Sequence, residues 1–179
     1  MSRRLLLQDA CVLINLLASG RFEDIARECG YQLVVASAVC AESIYIRDAT
    51  TREPVLINLE PYVSAGLLEQ MDVETEDERA AYIVYAAQLD DGEAMSLALA
   101  ELRHIPLATD DRKARALIAR EGIRIELSST VGVLQAWERT ADIEISQMRA
   151  VIANIQRSAR FARPPAAEDR LWWQDRTEK

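Results

Sequence analysis

Five carboxylates mark the places where this chain has the material for chemistry. Asp9 follows the apolar run Leu5-Leu6-Leu7, Glu42 lies in "SAVCAES", Glu93 in "DDGEAMSLALA", and Asp110 and Asp111 stand side by side in "LATDDRKARAL". The runs before Asp9 and Asp110 read as buried strands, each followed at once by a helical pattern. In an open parallel sheet, ligands gather beyond the carboxyl ends of the strands. Acids at such ends are expected to converge if their strands are neighbours, with Glu42 and Glu93 reaching the same spot from helices that start after Val35 and after the turn Asp90-Asp91-Gly92. Grouped carboxylates repel one another: two unit charges about 4 Å apart cost on the order of 4 kcal/mol at an effective dielectric near 20. Either the acids hold protons, with raised pKa values, or a cation sits among them. An all-oxygen donor set without a supporting histidine or cysteine suits Mg²⁺ or Mn²⁺ rather than zinc. Such an ion activates water and stabilises charge on a phosphoryl oxygen under in-line attack.

Other chemistries find little to work with. The one histidine, His104, ends a helical pattern before Ile105-Pro106, which leaves no Ser-His-Asp or Cys-His arrangement in view. There is no G-x-x-x-x-G-K-[ST] loop, and "QDACVL" lacks the second aspartate of a D-x-D phosphatase pattern. Arg112, Lys113 and Arg115 follow the acidic pair on the first turns of a helix whose N-terminus faces the proposed site, a placement suited to phosphate contacts; a salt-bridged surface face is the rival reading. Arg47 and Arg52 are weaker candidates of the same kind. Asn15, about two helical turns beyond Asp9, is either a polar residue of the helix face or a contact of the site.

Stepping along the chain, the elements that must position these residues alternate. Leu5 to Leu7 and Leu33 to Val35 read as strands, with helices over Val12 to Ala18 and Phe22 to Cys29, the latter stopped by Gly30. Ser37 reads as a cap for a helix from Ala38 to Ile46 that carries Glu42 one turn inside. Val55 to Leu59 and Leu67 to Val73 are further strand candidates. The acidic run Glu74 to Glu78 opens a helix from Arg79 to Leu89 and reads as a solvated helix start. A helix from Gly92 to Arg103, a strand from Ile105 to Ala108, a helix from Asp111 to Glu121 closed by Gly122, a strand from Ile123 to Leu127, and a helix capped by Ser128 follow. A last helical pattern runs from Asp142 to Arg160, and beyond Pro164-Pro165 the pair Trp172-Trp173 reads either as an exposed docking arm or as folded back. Strands alternating with helices predict an α/β fold with a mostly parallel sheet.

The chain has 179 residues, enough for one domain of ordinary size, with 50% hydrophobic and 28% charged residues. Its net charge of −8 argues against binding nucleic acid by overall field strength, though not against a local basic path. The tail from Arg157 to Lys179 is +2 and the rest is −10, which fits a carboxylate-rich body with a more cationic tail. The three cysteines, Cys11, Cys29 and Cys40, have no C-x-x-C spacing and read as reduced thiols. No apolar run reaches the roughly 18 to 20 residues a membrane span requires, so a cytoplasmic protein is expected.

The order of the four motifs resembles that of the PIN-domain family of metal-dependent ribonucleases, over about residues 5 to 130. The resemblance implies a three-layer α/β fold in which a central parallel sheet is flanked by helices, with the nuclease domain over residues 1–140 and a C-terminal helix and tail over 141–179 packed on it or on a partner. It implies endoribonuclease activity with Mg²⁺ or Mn²⁺, and places Asp9, Glu42, Glu93 and Asp111 at the catalytic metal site, with Asp110, in the variable position of the T-x-D pattern begun by Thr109, as a further metal ligand. Thr109 is then expected to orient a carboxylate or a water. Ala10 and Cys11 depart from the commonest form, which has a hydroxyl and a small polar residue there. Relatives of this size resemble VapC-like toxins, which implies a homodimer and an antitoxin partner. A non-catalytic binding module built on the same fold is the alternative.

Overall fold

A computed structural model of the chain describes residues 3–42, 44–159 and 161–177. Strand β1 (Arg4–Gln8) carries Leu6 and Leu7 with almost no exposure, as a strand covered on both faces must. It pairs in parallel with β2 (Tyr31–Ala36) on one side and β6 (Leu107–Ala108) on the other. β5 (Leu68–Met71) extends the sheet beyond β2, and β7 (Leu127–Ser128) extends it beyond β6. The order is β5-β2-β1-β6-β7 and every pairing is parallel, so the α/β expectation holds. The chain builds outward from β1 to one side and returns to build the other. The strand order therefore reverses between β1 and β6, and a crevice opens beyond the carboxyl ends of those two strands. Asp9 follows β1 directly, and Asp110 and Asp111 lie just beyond β6.

Helices flank the sheet: α1 (Ala10–Ala18), α2 (Phe22–Glu28), α3 (Ser37–Ala41), α4 (Glu60–Ser64), α5 (Glu76–Ala86), α6 (Asp91–Arg103), α7 (Arg112–Glu121), α8 (Thr130–Thr140), α9 (Ile145–Ser158) and α10 (Ala167–Thr177). One hydrophobic cluster joins the sheet, α1, α6 and α8 to Met148, Val151, Ile152 and Ile155 of α9 and to Trp173 of α10. Among the described residues no helix is long and apolar enough to cross a membrane.

Several elements differ from expectation. The helix expected from Ala38 to Ile46 ends at Ala41, and Ala36, not Ser37, precedes it as a cap without a side-chain bond. Tyr45–Arg47 instead forms β3, antiparallel to β4 (Pro54–Leu56), because Tyr45 and Ile46 pair with Leu56 and Val55 across a hairpin. Ser43 lies outside the described residues, as does Arg160, the expected end of the last helix. Val55 to Leu59 and Ile123 to Leu127 contribute only Pro54–Leu56 and Leu127–Ser128 as strand, and the cap of α8 is Ser129, whose hydroxyl accepts the Gly132 N–H at 3.0 Å. α5 starts three residues early through a capping box of Thr75 and Glu78. Glu78 is no solvated helix start: it is 5% exposed and paired with Arg103 at 2.7 Å. The tryptophans fold back. Trp173 is buried against Phe161, and the Trp172 indole donates to Glu138 at 2.9 Å beneath the Arg176 guanidinium.

Candidate active site

Asp9 is the centre of the acidic group. It caps α1, is 2% exposed, and accepts the Thr109 hydroxyl at 2.6 Å, the Cys11 N–H at 3.3 Å and the Cys11 thiol at 3.4 Å. Burial raises its pKa; the bonds from Thr109 and Cys11 oppose that, and the charge of Asp111 adds to it. Asp111 caps α7, where its carboxylate accepts the Ala114 N–H at 2.7 Å. Its own N–H donates to the Thr109 hydroxyl oxygen at 3.0 Å. One buried hydroxyl thus ties the strand-end acid of β1 to the helix-start acid after β6.

Glu93 is the third residue of α6, half-buried, and accepts the Asp90 N–H at 3.4 Å. Its carboxyl is pushed up to about 7, by desolvation first and then by the charges of Asp9 and Asp111. Glu42 is exposed at the end of α3 in an extended conformation, rather than one turn inside a helix. Partial burial raises its pKa, the Gly92 N–H opposes the rise, and the charges of Asp9, Asp90 and Asp91 add to it. Gly92 makes that approach possible. A Cβ at this position would lie 2.2 Å from Glu42 Oε1 and 3.0 Å from Val39 Cγ2. Asp9 thus links the four: its charge acts on Glu42 and Glu93, and the charge of Asp111 acts on Asp9 and on Glu93.

Asp110 is set differently. It is 8% exposed, and its carboxylate accepts the Thr130 hydroxyl, the Thr130 N–H at 3.3 Å and the Asn15 amide at 3.3 Å. Burial raises it to about 6 despite the Thr130 bonds, and the charge that adds to the rise is that of Asp169 on α10. Asp169 is itself held by the Ser129 hydroxyl at 2.6 Å. Asn15 is buried and also donates to Thr130 at 2.9 Å, so it braces Asp110. Arg115 spends its guanidinium on the Thr109 and Ser128 carbonyls at 3.0 and 3.2 Å and on Glu168 at 3.4 Å. Arg112 and Lys113 are exposed and make no salt bridge among the described residues.

Among the described residues, none of the five acids has a salt-bridge partner either, and no three His, Cys, Asp or Glu side chains are grouped tightly enough to hold a metal ion as they stand. The donor chemistry nonetheless fits a hard divalent cation: four carboxylates share a field without a counter-charge, and the two glutamates have flexible stems. A family described as PIN domain matches residues 5–171. The chain belongs to the PIN-domain family. PIN domains have a nuclease-type fold and typically use divalent metal ions. No curated protein and no solved structure matches the chain.

Three residues of this PIN domain that matter to the site had escaped sequence reasoning. Gly92 sits in the quoted "DDGE" motif, where a glycine between acids signals a close approach. Thr130 and Asp169 act on Asp110 from 20 and 59 positions away in the chain, and no local pattern announces them.

Proposed function

We propose that this PIN domain is a Mg²⁺- or Mn²⁺-dependent endoribonuclease. Asp9, Glu42, Glu93 and Asp111 hold the ion, and the observation that carries the reading is their shared, uncompensated charge at the switch point of the sheet. When bound, the ion supplies activation of water and charge stabilisation at the phosphoryl group. The residues of the chain do the rest. Thr109 fixes Asp9 and Asp111 relative to each other. Asp110, held by Thr130 and Asn15, forms the rigid floor beside them and serves as an outer member of the acidic set. Arg112 and Lys113 attract the phosphate backbone, while Arg115 anchors the start of α7. Water attacks phosphorus, the P–O bond to the leaving nucleoside breaks, and no covalent enzyme intermediate is needed.

The same reading takes the protein as cytoplasmic, with residues 1–140 as the nuclease unit and 141–179 as a segment packed on it. As the toxin of a type II pair, it would work as a homodimer and be blocked by an antitoxin segment; an acidic site of this kind accepts an arginine from such a partner. The non-catalytic binding module is the second reading, favoured by the lack of a tight three-ligand group among the described residues. Incubating the purified chain with RNA in Mg²⁺, Mn²⁺ or EDTA separates the two. Cleavage in the metals alone, abolished in Asp9→Asn and Asp111→Asn with the folded circular-dichroism spectrum kept, supports the nuclease. Full activity in both variants refutes the assignment.

A further inference from the structure

Among the described residues three aspartates are buried: Asp9, Asp110 and Asp169. The first two belong to the acidic group, whereas Asp169 stands in the first turn of α10 and has no part in it so far. Burying a carboxylate without a cation is costly unless hydrogen bonds hold it. Asp169 makes no salt bridge among the described residues, and the bond it receives is that of the Ser129 hydroxyl at 2.6 Å. Ser129 is itself buried and has a second task, since its oxygen accepts the Gly132 N–H at 3.0 Å as the cap of α8. A hydroxyl has one proton, and a carboxylate only accepts. Asp169 therefore takes the proton of Ser129 and leaves the hydroxyl lone pair aimed at Gly132. Thr130, next in the chain and fully buried, then turns both its N–H and its hydroxyl to Asp110.

The element that delivers Asp169 is fastened along α8. Trp173 is buried against Phe161, and at the far end of α10 Arg176 pairs with Glu138 of α8 at 2.8 Å in a largely buried contact. Glu168, beside Asp169, reaches Arg115 at 3.4 Å, but it is exposed and such a pair contributes little. The buried bond is the one that bears on the site. We propose that Asp169 is a positioning residue of the acidic group: through Ser129 it orients the first turn of α8, that turn fixes Asp110, and Asp110 holds its neighbour Asp111 in place for the cation. The proposal rests on the metal-site reading for what is positioned, but not for the bracing itself. It also makes α10 part of the working site, although no residue of that helix touches the four acids proposed to hold the ion.

Two measurements on the full chain test it: calorimetric titration of Mn²⁺ into the metal-free protein, and amide hydrogen exchange in EDTA, which reads the bracing without metal. Asp169→Ala removes the acceptor. It is expected to weaken Mn²⁺ binding about tenfold, the low end of the roughly 10- to 100-fold lost with partners that orient metal-binding side chains. It is also expected to speed exchange at the Thr130 and Gly132 amides about five- to tenfold, as the loss of one net hydrogen bond implies, with the amides of β2 unchanged. Asp169→Asn keeps an acceptor oxygen for Ser129 and is expected to bind Mn²⁺ within about threefold of the unaltered chain. Since the effect runs through Ser129, adding Asp169→Ala to Ser129→Ala is expected to weaken binding no further. Glu168→Gln, which removes only the exposed pair, serves as control. Unchanged Mn²⁺ affinity in Asp169→Ala, with exchange raised equally at all amides, would make Asp169 a structural residue only and overturn the proposal. Equal losses in Asp169→Asn and Asp169→Ala would overturn it as well, by assigning the effect to charge. If the unaltered chain binds no Mn²⁺, the metal reading fails by itself: faster exchange confined to the start of α8 in Asp169→Ala still supports the bracing, and unchanged exchange there overturns it.

Discussion

Replacing Glu93 with glutamine should make the metal-free protein more stable, and by an amount that depends on pH. The Glu93 carboxyl is pushed up to about 7 from an ordinary 4.5, by desolvation and by Asp9 and Asp111. At about 1.36 kcal/mol for each tenfold change in acidity, the rise corresponds to about 3 kcal/mol. Glu93 is only half-buried, and solvent screening reduces this to about 1 to 2 kcal/mol. Between the unfolded and folded pKa values the folded protein binds the extra proton, so stability falls as pH rises through that window. The penalty is complete above about pH 7 and nearly gone at about pH 4.5. Glutamine keeps the shape and never ionises. Glu93→Gln is therefore expected to raise the thermal midpoint in EDTA by about 2 to 8 °C at pH 8, given about 2 to 4 °C per kcal/mol for a chain of this size, and to change it little near pH 4.5. Differential scanning fluorimetry across that range reads the effect. A midpoint at pH 8 that is unchanged or lower, or a gain of equal size at both ends, would show that Glu93 does not share the field of Asp9 and Asp111.

Gly92→Ala gains about 0.5 to 1 kcal/mol as the better helix former, which the 3.0 Å approach of its Cβ to buried Val39 offsets, while pushing the Glu42 carboxylate out of its place; loss of metal-dependent cleavage with a thermal midpoint changed by only a few degrees is the expected result. Thr109→Val removes the donor to Asp9 and the acceptor of the Asp111 N–H in a fully buried position, and should cost about 1 to 3 kcal/mol in urea unfolding as well as weakening Mn²⁺ binding by calorimetry. Trp173→Ala empties a site 2% exposed and should cost about 3 to 5 kcal/mol; a loss under 1 kcal/mol would mean that α10 contributes little to the core.

The fold was legible where burial dictates pattern. Leu6-Leu7 and Leu33-Val34-Val35 are apolar because both their faces are covered, and Gly122 marks the end of α7 because a left-handed residue is needed there, at φ 67°. Tyr45-Ile46 was misread because its short apolar rhythm suits a helix as well as a strand, and its partner Val55-Leu56 lies across a hairpin that no local signal fixes. Within the site, Asp9 and the Asp110-Asp111 pair were visible as acids that end strands. The division of labour between Asp110 and Asp111 was not, for it depends on Thr130, Asn15 and Asp169, which only the packing of α8 against α1 and of α10 against α8 brings together. The tail behaved similarly: the aromatic character of Trp172-Trp173 was plain, but its burial required Phe161, Glu138 and Arg176.

The grouping of four acids is a consequence of the parallel topology, and the same topology only partly offsets its cost. Each strand-to-helix connection aims a helix N-terminus at the carboxyl edge of the sheet: Asp9 caps α1, Asp111 caps α7, Glu93 lies in the first turn of α6, and Glu42 faces the Gly92 N–H of that same turn. A negative charge at such an end gains about 0.3 to 1 kcal/mol, so three helices offer about 1 to 3 kcal/mol. A single pair of carboxylates brought to 4 Å costs about 4 kcal/mol at an effective dielectric of 20, and Asp9 is electrostatically coupled to Asp111, Glu42 and Glu93. Helix ends only partly offset repulsion of that order. In the protein alone, Glu93 reduces it by holding its proton up to about pH 7; a divalent cation would remove it at any pH above that. Binding of Mg²⁺ or Mn²⁺ at pH 7 should therefore expel part of a proton from Glu93, and the heat of binding should vary with the ionisation enthalpy of the buffer in the unaltered chain but not in Glu93→Gln. A buffer-independent heat in both would mean that the ion, if it binds, does so away from Glu93.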